Sequence, residues 1–372
     1  MSRRSAVFLC FLLMFWQRGM AAGAEESWQA QWTKTLQAAG QEGEVVLYAS
    51  ESNDGVLREF QKQYPGIKVS YVAASGGGSS AARILSERRA GKYLVDIYIS
   101  GAGTAYGTFY PNKALDPIKP TLILPEVIDE SRWWSGRHIY HDKERSYILA
   151  FNGVAQSYFG YNNRVISPRQ FRSYWDLLDP KWKGKMVSYD PTMRSGVIIG
   201  LQFVYHHPKL GPEFLRRLLS EMDLTVSRDD RQIVDWLAVG KFPLYGLVPP
   251  DRSGIYEAKR QGLPIGVFDS ANFREGIALS PGGGNIALFS RAPHPNAAKV
   301  LINWLLSQAG QITYQKLRRG DIDSLRIDIP KDDVAPEVRR NERENYLLLA
   351  GPGFIDLEPV QKIVQESWRR KR

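Results

Sequence analysis

The sequence predicts an α/β protein of two lobes, on three observations. First, residues 45–89 read as strand, helix, strand, Gly/Ser loop and helix, a β-α-β unit that implies a parallel sheet. Second, the same order of strand, polar loop and helix recurs near residues 186–205. Third, 372 residues exceed what one simple core usually organises.

In the first unit, Val45–Ser50 is an apolar, β-prone run that stops at small polar residues. Val56, Phe60 and Tyr64 then fall four apart, on one helix face. Ile67–Ala73 alternates as a strand should and runs into Ser75-Gly76-Gly77-Gly78-Ser79-Ser80. The next helix carries Ala82, Leu85 and Arg89. In open α/β sheets, ligands bind beyond the carboxyl ends of the strands. Ser50-Glu51-Ser52 and Ser75–Ser80 both fall on that edge. The second loop also opens a helix, whose unpaired N–H groups and positive dipole end favour an anion.

The remaining elements follow in order. Trp28, Trp32 and Leu36 mark a lead-in helix over 28–41, and Tyr93–Ser100 reads as a buried strand ending in Ser100-Gly101-Ala102-Gly103. Leu115–Pro125 holds three prolines and reads as a loop. Tyr147–Phe151 and Tyr158–Tyr161 are strands, and Trp175–Lys185 is a polar, turn-rich bridge. Met186–Ser188 is a short strand, Tyr189–Gly196 a polar loop and Val197–Tyr205 a helix. Phe214–Leu219 and Asp229–Val239 are helices, and Phe242–Val248 and Ile265–Asp269 are strands. Ser280–Asn285 is a glycine-rich turn before Ile286–Phe289. Pro295–Ser307 and Leu357–Trp368 have the apolar spacing of amphipathic helices.

The first residues read as a secretory signal. Arg3 and Arg4 precede an apolar run, Ala6–Trp16, too short to span a bilayer. Small residues at Ala21–Ala24 offer a cleavage zone, giving a signal peptide over 1–24. The only cysteine, Cys10, lies inside it. The mature chain therefore has no disulfide, no thiolate nucleophile and no cysteine metal site. An exported, cysteine-free chain points to the periplasm. The formal charge of +10 is scattered among acidic residues, and no motif supports nucleic-acid binding.

Several stretches together resemble one family. These are VVLYAS at Val45–Ser50, EFQKQYPGIKVSYV at Glu59–Val72, WDLLDPKWKGK at Trp175–Lys185, YDPTMRSG at Tyr189–Gly196 and APHPNAAKVLINWLLSQAGQ at Ala292–Gln311. The chain resembles the periplasmic solute-binding proteins of ABC importers, in the branch that holds ferric-iron, phosphonate, thiamine and polyamine binders. The resemblance implies the type II periplasmic-binding-protein fold. Each lobe is then a mixed, mostly parallel sheet flanked by helices, with ligand in the cleft between lobes. It implies a first lobe of 28–150 plus 275–330 and a second of 151–274, with 331–372 as a C-terminal extension. It also implies hinge closure and docking on a membrane permease served by an ATPase. The adjacent tyrosine pair of the iron binders is missing after Tyr245, where the chain reads Gly246-Leu247-Val248-Pro249-Pro250-Asp251-Arg252.

The residues expected to hold a ligand are Ser50, Glu51, Ser75, Gly77, Ser79, Arg194, Ser195, Gly196, Tyr245 and Arg252. Arg194-Ser195-Gly196 adds a guanidinium to the second helix start. Each helix end offers an anion on the order of 0.3–2 kcal/mol, and a desolvated Arg fork adds roughly 1.5–3 kcal/mol. Tyr245, Tyr161, Arg252 and Glu275 have equally ordinary structural readings as core, loop or ion-pair residues. His206-His207 reads as an exposed helix-end pair, and His138 with His141 lacks a third metal ligand nearby.

The expectation is thus a small anionic solute captured for import by a monomer without cofactor, resident metal or bond chemistry. Ferric iron held by non-standard ligands is the alternative within the family. An exported hydrolase and a ligand-sensing partner of a membrane receptor are the alternatives outside it. The sequence has no G-x-S-x-G elbow and no H-E-x-x-H.

Overall fold

The computed structural model describes residues 27–49, 53–73, 78–193, 197–250, 253–269, 271–318, 321–341 and 343–369. The signal-peptide reading, Ser50–Ser52, Ser75–Gly77, Arg194–Gly196, Asp251 and Arg252 lie outside these residues.

A helix over 27–42 leads in, with Trp28, Trp32 and Leu36 half-buried along one face. The first sheet then forms from β1 (Glu44–Ala49), β2 (Lys68–Ala73), β3 (Ile97–Ser100), β4 (Leu115–Asp116), β5 (Ile139–Tyr140) and β6 (Ile148–Ala150). Its seventh strand comes from far along the chain. With β7 to β13 assigned below, this is β14 (Asn285–Phe289), and the order is β2-β1-β3-β14-β6-β5 with β4 pairing β14. β1, β2 and β3 are parallel, while β14 runs antiparallel between β3 and β6. The helices Asp54–Gln63 and Gly78–Arg89 make the crossovers that parallel pairing requires.

The second sheet has the order β10-β9-β11-β8-β12. Here β8 is Phe159–Asn162, β9 Met186–Tyr189, β10 Thr225–Ser227, β11 Leu244–Gly246 and β12 Ile265–Val267. Two further strands join the sheets: β7 (Val154–Gln156) leads from β6 to β8, and β13 (Ile277–Ser280) leads from β12 back to β14. They pair antiparallel, and a C-terminal strand, β15 (Tyr346–Leu348), adds parallel to β13. The molecule is a mixed α/β protein of two lobes with crossing strands between them.

Each sheet has its own core. Phe60, Trp133, Leu149 and Leu301 belong to one in the first lobe; Phe159, Tyr174, Leu218 and Tyr245 belong to that of the second. The final helix, Glu358–Arg369, puts Val360, Ile363 and Val364 into the second core. It lies on the helices Gly211–Glu221 and Val197–His206.

Several elements differ from the sequence reading. The third strand runs from Ile97, not Tyr93: the Asp96 backbone still bonds to Val46 and Phe289, but the Asp96 carboxylate takes the Val46 N–H that would carry the ladder further back. That carboxylate accepts the Val46 N–H at 2.7 Å and the His294 N–H at 2.7 Å. The strand expected over Phe242–Val248 shortens to Leu244–Gly246, flanked by Pro243 and Pro249. The Leu115–Pro125 segment is not all loop: it holds β4 and a 3-10 turn at Lys119–Thr121. His206-His207 is no exposed pair. His207 is buried, with Nε2 3.1 Å from the Glu275 carbonyl and Nδ1 accepting the Lys209 N–H at 3.2 Å.

Candidate functional site

Register places the ends of the parallel strands together. Ala49 of β1 is level with Ala73 of β2 and Ile99 of β3, so all three chains leave the sheet along one edge. In the second sheet, Tyr189 of β9 is level with Ser227 of β10, and Ser188 with Gly246 of β11. The helix Val197–His206 follows β9, and Gly101–Gly103 follows β3. The two meet across a cavity of about 260 Å³.

The first lobe supplies its floor. Gly101, Ala102 and Gly103 line it together with Ser280, Gly282, Asn285 and His141. Their arrangement is fixed by buried hydrogen bonds. The Tyr98 hydroxyl donates to the Gly101 carbonyl. Asn285 Nδ2 donates to the Ser100 carbonyl at 2.9 Å and to the Gly282 carbonyl at 3.0 Å. That orients the amide, so its Oδ1 accepts from His141 Nε2 at 2.7 Å. His141 Nδ1 is then the acceptor, and the Gly351 N–H donates to it at 3.4 Å. Burial of the ring pulls its pKa from 6.5 down to about 4, so the imidazole is neutral near pH 7. With both ring nitrogens engaged, His141 offers nothing to a metal.

The second lobe supplies Ile198, Ile199 and Gln202. The C-terminal chain closes the remaining side with Leu349, Phe354, Ile355 and Leu357. It is held there by Gln202 Nε2, which donates to the Asp356 carbonyl at 2.9 Å. The Phe354 ring packs on His206, 4.7 Å between centroids. No charged side chain lines this cavity among the described residues. Among the described residues, too, no cluster of three or more His, Cys, Asp or Glu is placed to hold a metal ion.

Of the residues picked from sequence, Ser79 and Tyr245 are described. Ser79 is exposed in the first turn of the helix Gly78–Arg89. Tyr245 is fully buried, and the absence of a side chain at Gly160 makes room for its ring. Desolvation raises its pKa well above 10, and its hydroxyl has no partner among the described residues. A ring with no exposed surface stands in the core, not on the cavity wall. Glu275 is likewise structural: it accepts from Ser173 Oγ at 2.7 Å and pairs with Arg274 at 3.3 Å.

Sequence reasoning marked the Ser100–Gly103 loop and the Ser280–Asn285 turn but carried neither into the site. It missed Gln202, Asn285 and the 349–357 segment. The Gly351-Pro352-Gly353-Phe354 run was the available signal, a turn that presents an aromatic ring.

A larger cavity, of about 700 Å³, lies between Tyr256, Lys259, Asp269 and the segment Pro336–Glu344. None of the loops that follow β1, β2 or β3 contributes a lining residue there among those described. The smaller cavity is therefore the better candidate for a site shared by both sheets.

The comparisons agree with the two-lobed fold. The family profile of bacterial extracellular solute-binding proteins matches residues 26–312. Among solved structures, the Trichodesmium protein IdiA/FutA in complex with iron and citrate superposes with a TM-score of 0.65 at 17% identity, covering 87% of this chain and 99% of that one. The Bordetella ferric binding protein gives 0.65 at 18% identity, with 87% and 99% covered. The Actinobacillus pleuropneumoniae protein AfuA, with fructose-6-phosphate bound, gives 0.53 at 16%, with 88% and 98% covered. At such identities these structures show the shared fold. Among curated proteins, no sequence matches the chain significantly.

Proposed function

The chain belongs to the bacterial extracellular solute-binding proteins, the substrate-binding components of ABC importers, and from that premise we propose that its solute is a small anion held in the interlobe cavity. One observation carries this reading. A single cavity is lined both by the loop after β3 and by the first turn of the ten-residue helix Val197–His206. The free N–H groups and dipole of that helix start favour negative charge.

In this reading Arg194, Ser195 and Gly196 extend the anion grip from the second lobe, with Arg252 as a further clamp. Ser50, Glu51, Ser75, Gly77 and Ser79 contribute from the first. The lobes comprise 28–150 with 275–330, and 151–274, and they close about the crossing strands β7 and β13. The protein acts as a monomer in the periplasm after loss of residues 1–24. It makes and breaks no bonds, and passes its solute to a permease driven by an ATPase.

Thermal-shift and calorimetric titration of the mature chain with phosphonates, phosphate esters, carboxylates, polyamines and ferric citrate tests the proposal. A hundredfold excess over Kd stabilises the fold by about 2.7 kcal/mol. Arg194→Ala should cut the affinity of an anionic hit at least tenfold. Unchanged affinity, or a response to polyamines alone, overturns the anion reading.

A further inference from the structure

The cavity has a wall that neither sheet supplies. It is made by chain beyond residue 312, where the family match ends. That chain first joins the hinge. The Leu349 N–H extends the pairing of β15 with β13, donating to the Leu279 carbonyl at 2.8 Å. Side chains there alternate between the lobes, as those of a strand do between faces. Tyr346, Leu348 and Ala350 pack against the first core, Leu347 and Leu349 against the second. β15 is thus a third strand between the lobes, beside β13.

Residues 351–357 run on from it along the cavity, and their holds on the two lobes are unequal. On the second lobe, Gln202 Nε2 donates to the Asp356 carbonyl at 2.9 Å and the Phe354 ring packs on His206. The helix that follows, Glu358–Arg369, buries Val360, Ile363 and Val364 in that lobe's core. On the first lobe, the chain beyond Ala350 is held by the Gly351 N–H, which reaches His141 Nδ1 at 3.4 Å, near the limit of hydrogen bonding. Gly351 makes this contact at φ 105° and ψ 166°, a backbone conformation open essentially to glycine alone.

We infer that residues 349–357 form a latch across the interlobe cavity: rooted in the second lobe, it closes on the first at His141 and releases there when the lobes part. The inference rests on lobe movement about β7 and β13, and adds what holds the lobes together. Because the latch is itself a wall of the cavity, its release opens the cavity on that side and admits solute.

Double electron–electron resonance on the mature chain tests it, since residues 25–372 contain no native cysteine. Spin labels go on Ala82→Cys and Arg231→Cys, exposed positions in the first two turns of the helices that follow β2 and β10. Gly351→Ala puts a methyl group into open space, so it strains the latch without a clash. The population at the longer interlobe distance should rise about fivefold or more. Gln202→Met removes only one of several holds on the second lobe and should raise it less. Unchanged populations in Gly351→Ala, or a larger rise in Gln202→Met, overturn the latch and leave lobe movement standing. One fixed distance in all three chains overturns the lobe movement and the latch with it; solute charge is decided separately, by titration. Should Gly351→Ala not fold, amide exchange in the unsubstituted chain replaces it. The Gly351 N–H should then be protected about tenfold less than the strand-paired Leu349 N–H, and equal protection overturns the latch.

Discussion

His141 and Asn285 form a buried pair whose protons are all assigned: Nε2 of the ring donates to Oδ1 of the amide at 2.7 Å. The pair joins strand β14 to the residue after β5 and, through Gly351, to the C-terminal chain. Because burial lowers the folded pKa to about 4, the folded state resists protonation that the unfolded chain accepts near 6.5. The stabilisation from the neutral ring is complete above about pH 6.5 and drains away as pH falls toward about 4. The span corresponds to about 3 kcal/mol. Urea unfolding between pH 7 and 4 should show this slope in the native chain and a shallower one in His141→Gln. Equal slopes would remove His141 as its source.

Arg326 is a buried cation whose donors are all satisfied. It grips Asp328 through Nε at 2.8 Å and Nη2 at 2.7 Å, and Nη1 donates to the Leu306 carbonyl at 2.9 Å. Removing one member of such a buried set leaves the others bare. Arg326→Ala should therefore cost about 3–5 kcal/mol in urea unfolding. A loss below about 1 kcal/mol, the range of exposed pairs, would show that the set is solvated in solution.

Gly160 sits where β8 passes beneath Tyr245. A Cβ there would lie 2.2 Å from the ring and 2.4 Å from the Gly266 carbonyl oxygen. The oxygen belongs to a paired strand and cannot retreat. Gly160→Ala should yield little folded protein, or a stability lowered by about 1–3 kcal/mol or more in urea unfolding. A double variant with Tyr245→Phe should not recover it, because phenylalanine keeps the clashing ring carbons and the clash with the Gly266 carbonyl also remains. Recovery would mean that only the hydroxyl matters.

The terminal helix covers part of the second core rather than trailing from it. Truncation after Glu344 removes β15 and uncovers the faces that Val360, Ile363 and Val364 now pack. The shortened chain should bind a hydrophobic dye and unfold at lower urea than the full chain. Unaltered dye binding and midpoint would show that the helix docks without contributing.

The parallel strands β1 and β2, the lead-in helix and the helices from Pro295 and Glu358 were legible because their apolar residues repeat with a clear period. β7, β10, β13 and β15 were not. Each is three or four residues long, too short for a period, and each is defined by partners distant in sequence. The cavity was legible only as a set of polar strand ends. Gln202 was hidden for a related reason: it interrupts an apolar helix, and only the fold of residues 349–357 beneath it gives its amide a direction.

The position of β14 has a bearing on biogenesis. It lies between β3 and β6, so the first lobe's sheet has a gap at its centre until residues 285–289 arrive. All five strands of the second sheet lie within residues 159–267 and have been synthesised by then. The sheet that begins the chain is therefore closed after that of the second lobe, whose core awaits only its cover from the terminal helix. The first sheet's long-range closure should set the slow step of folding, and a chain arrested before residue 285 should hold a structured second half beside an open first half.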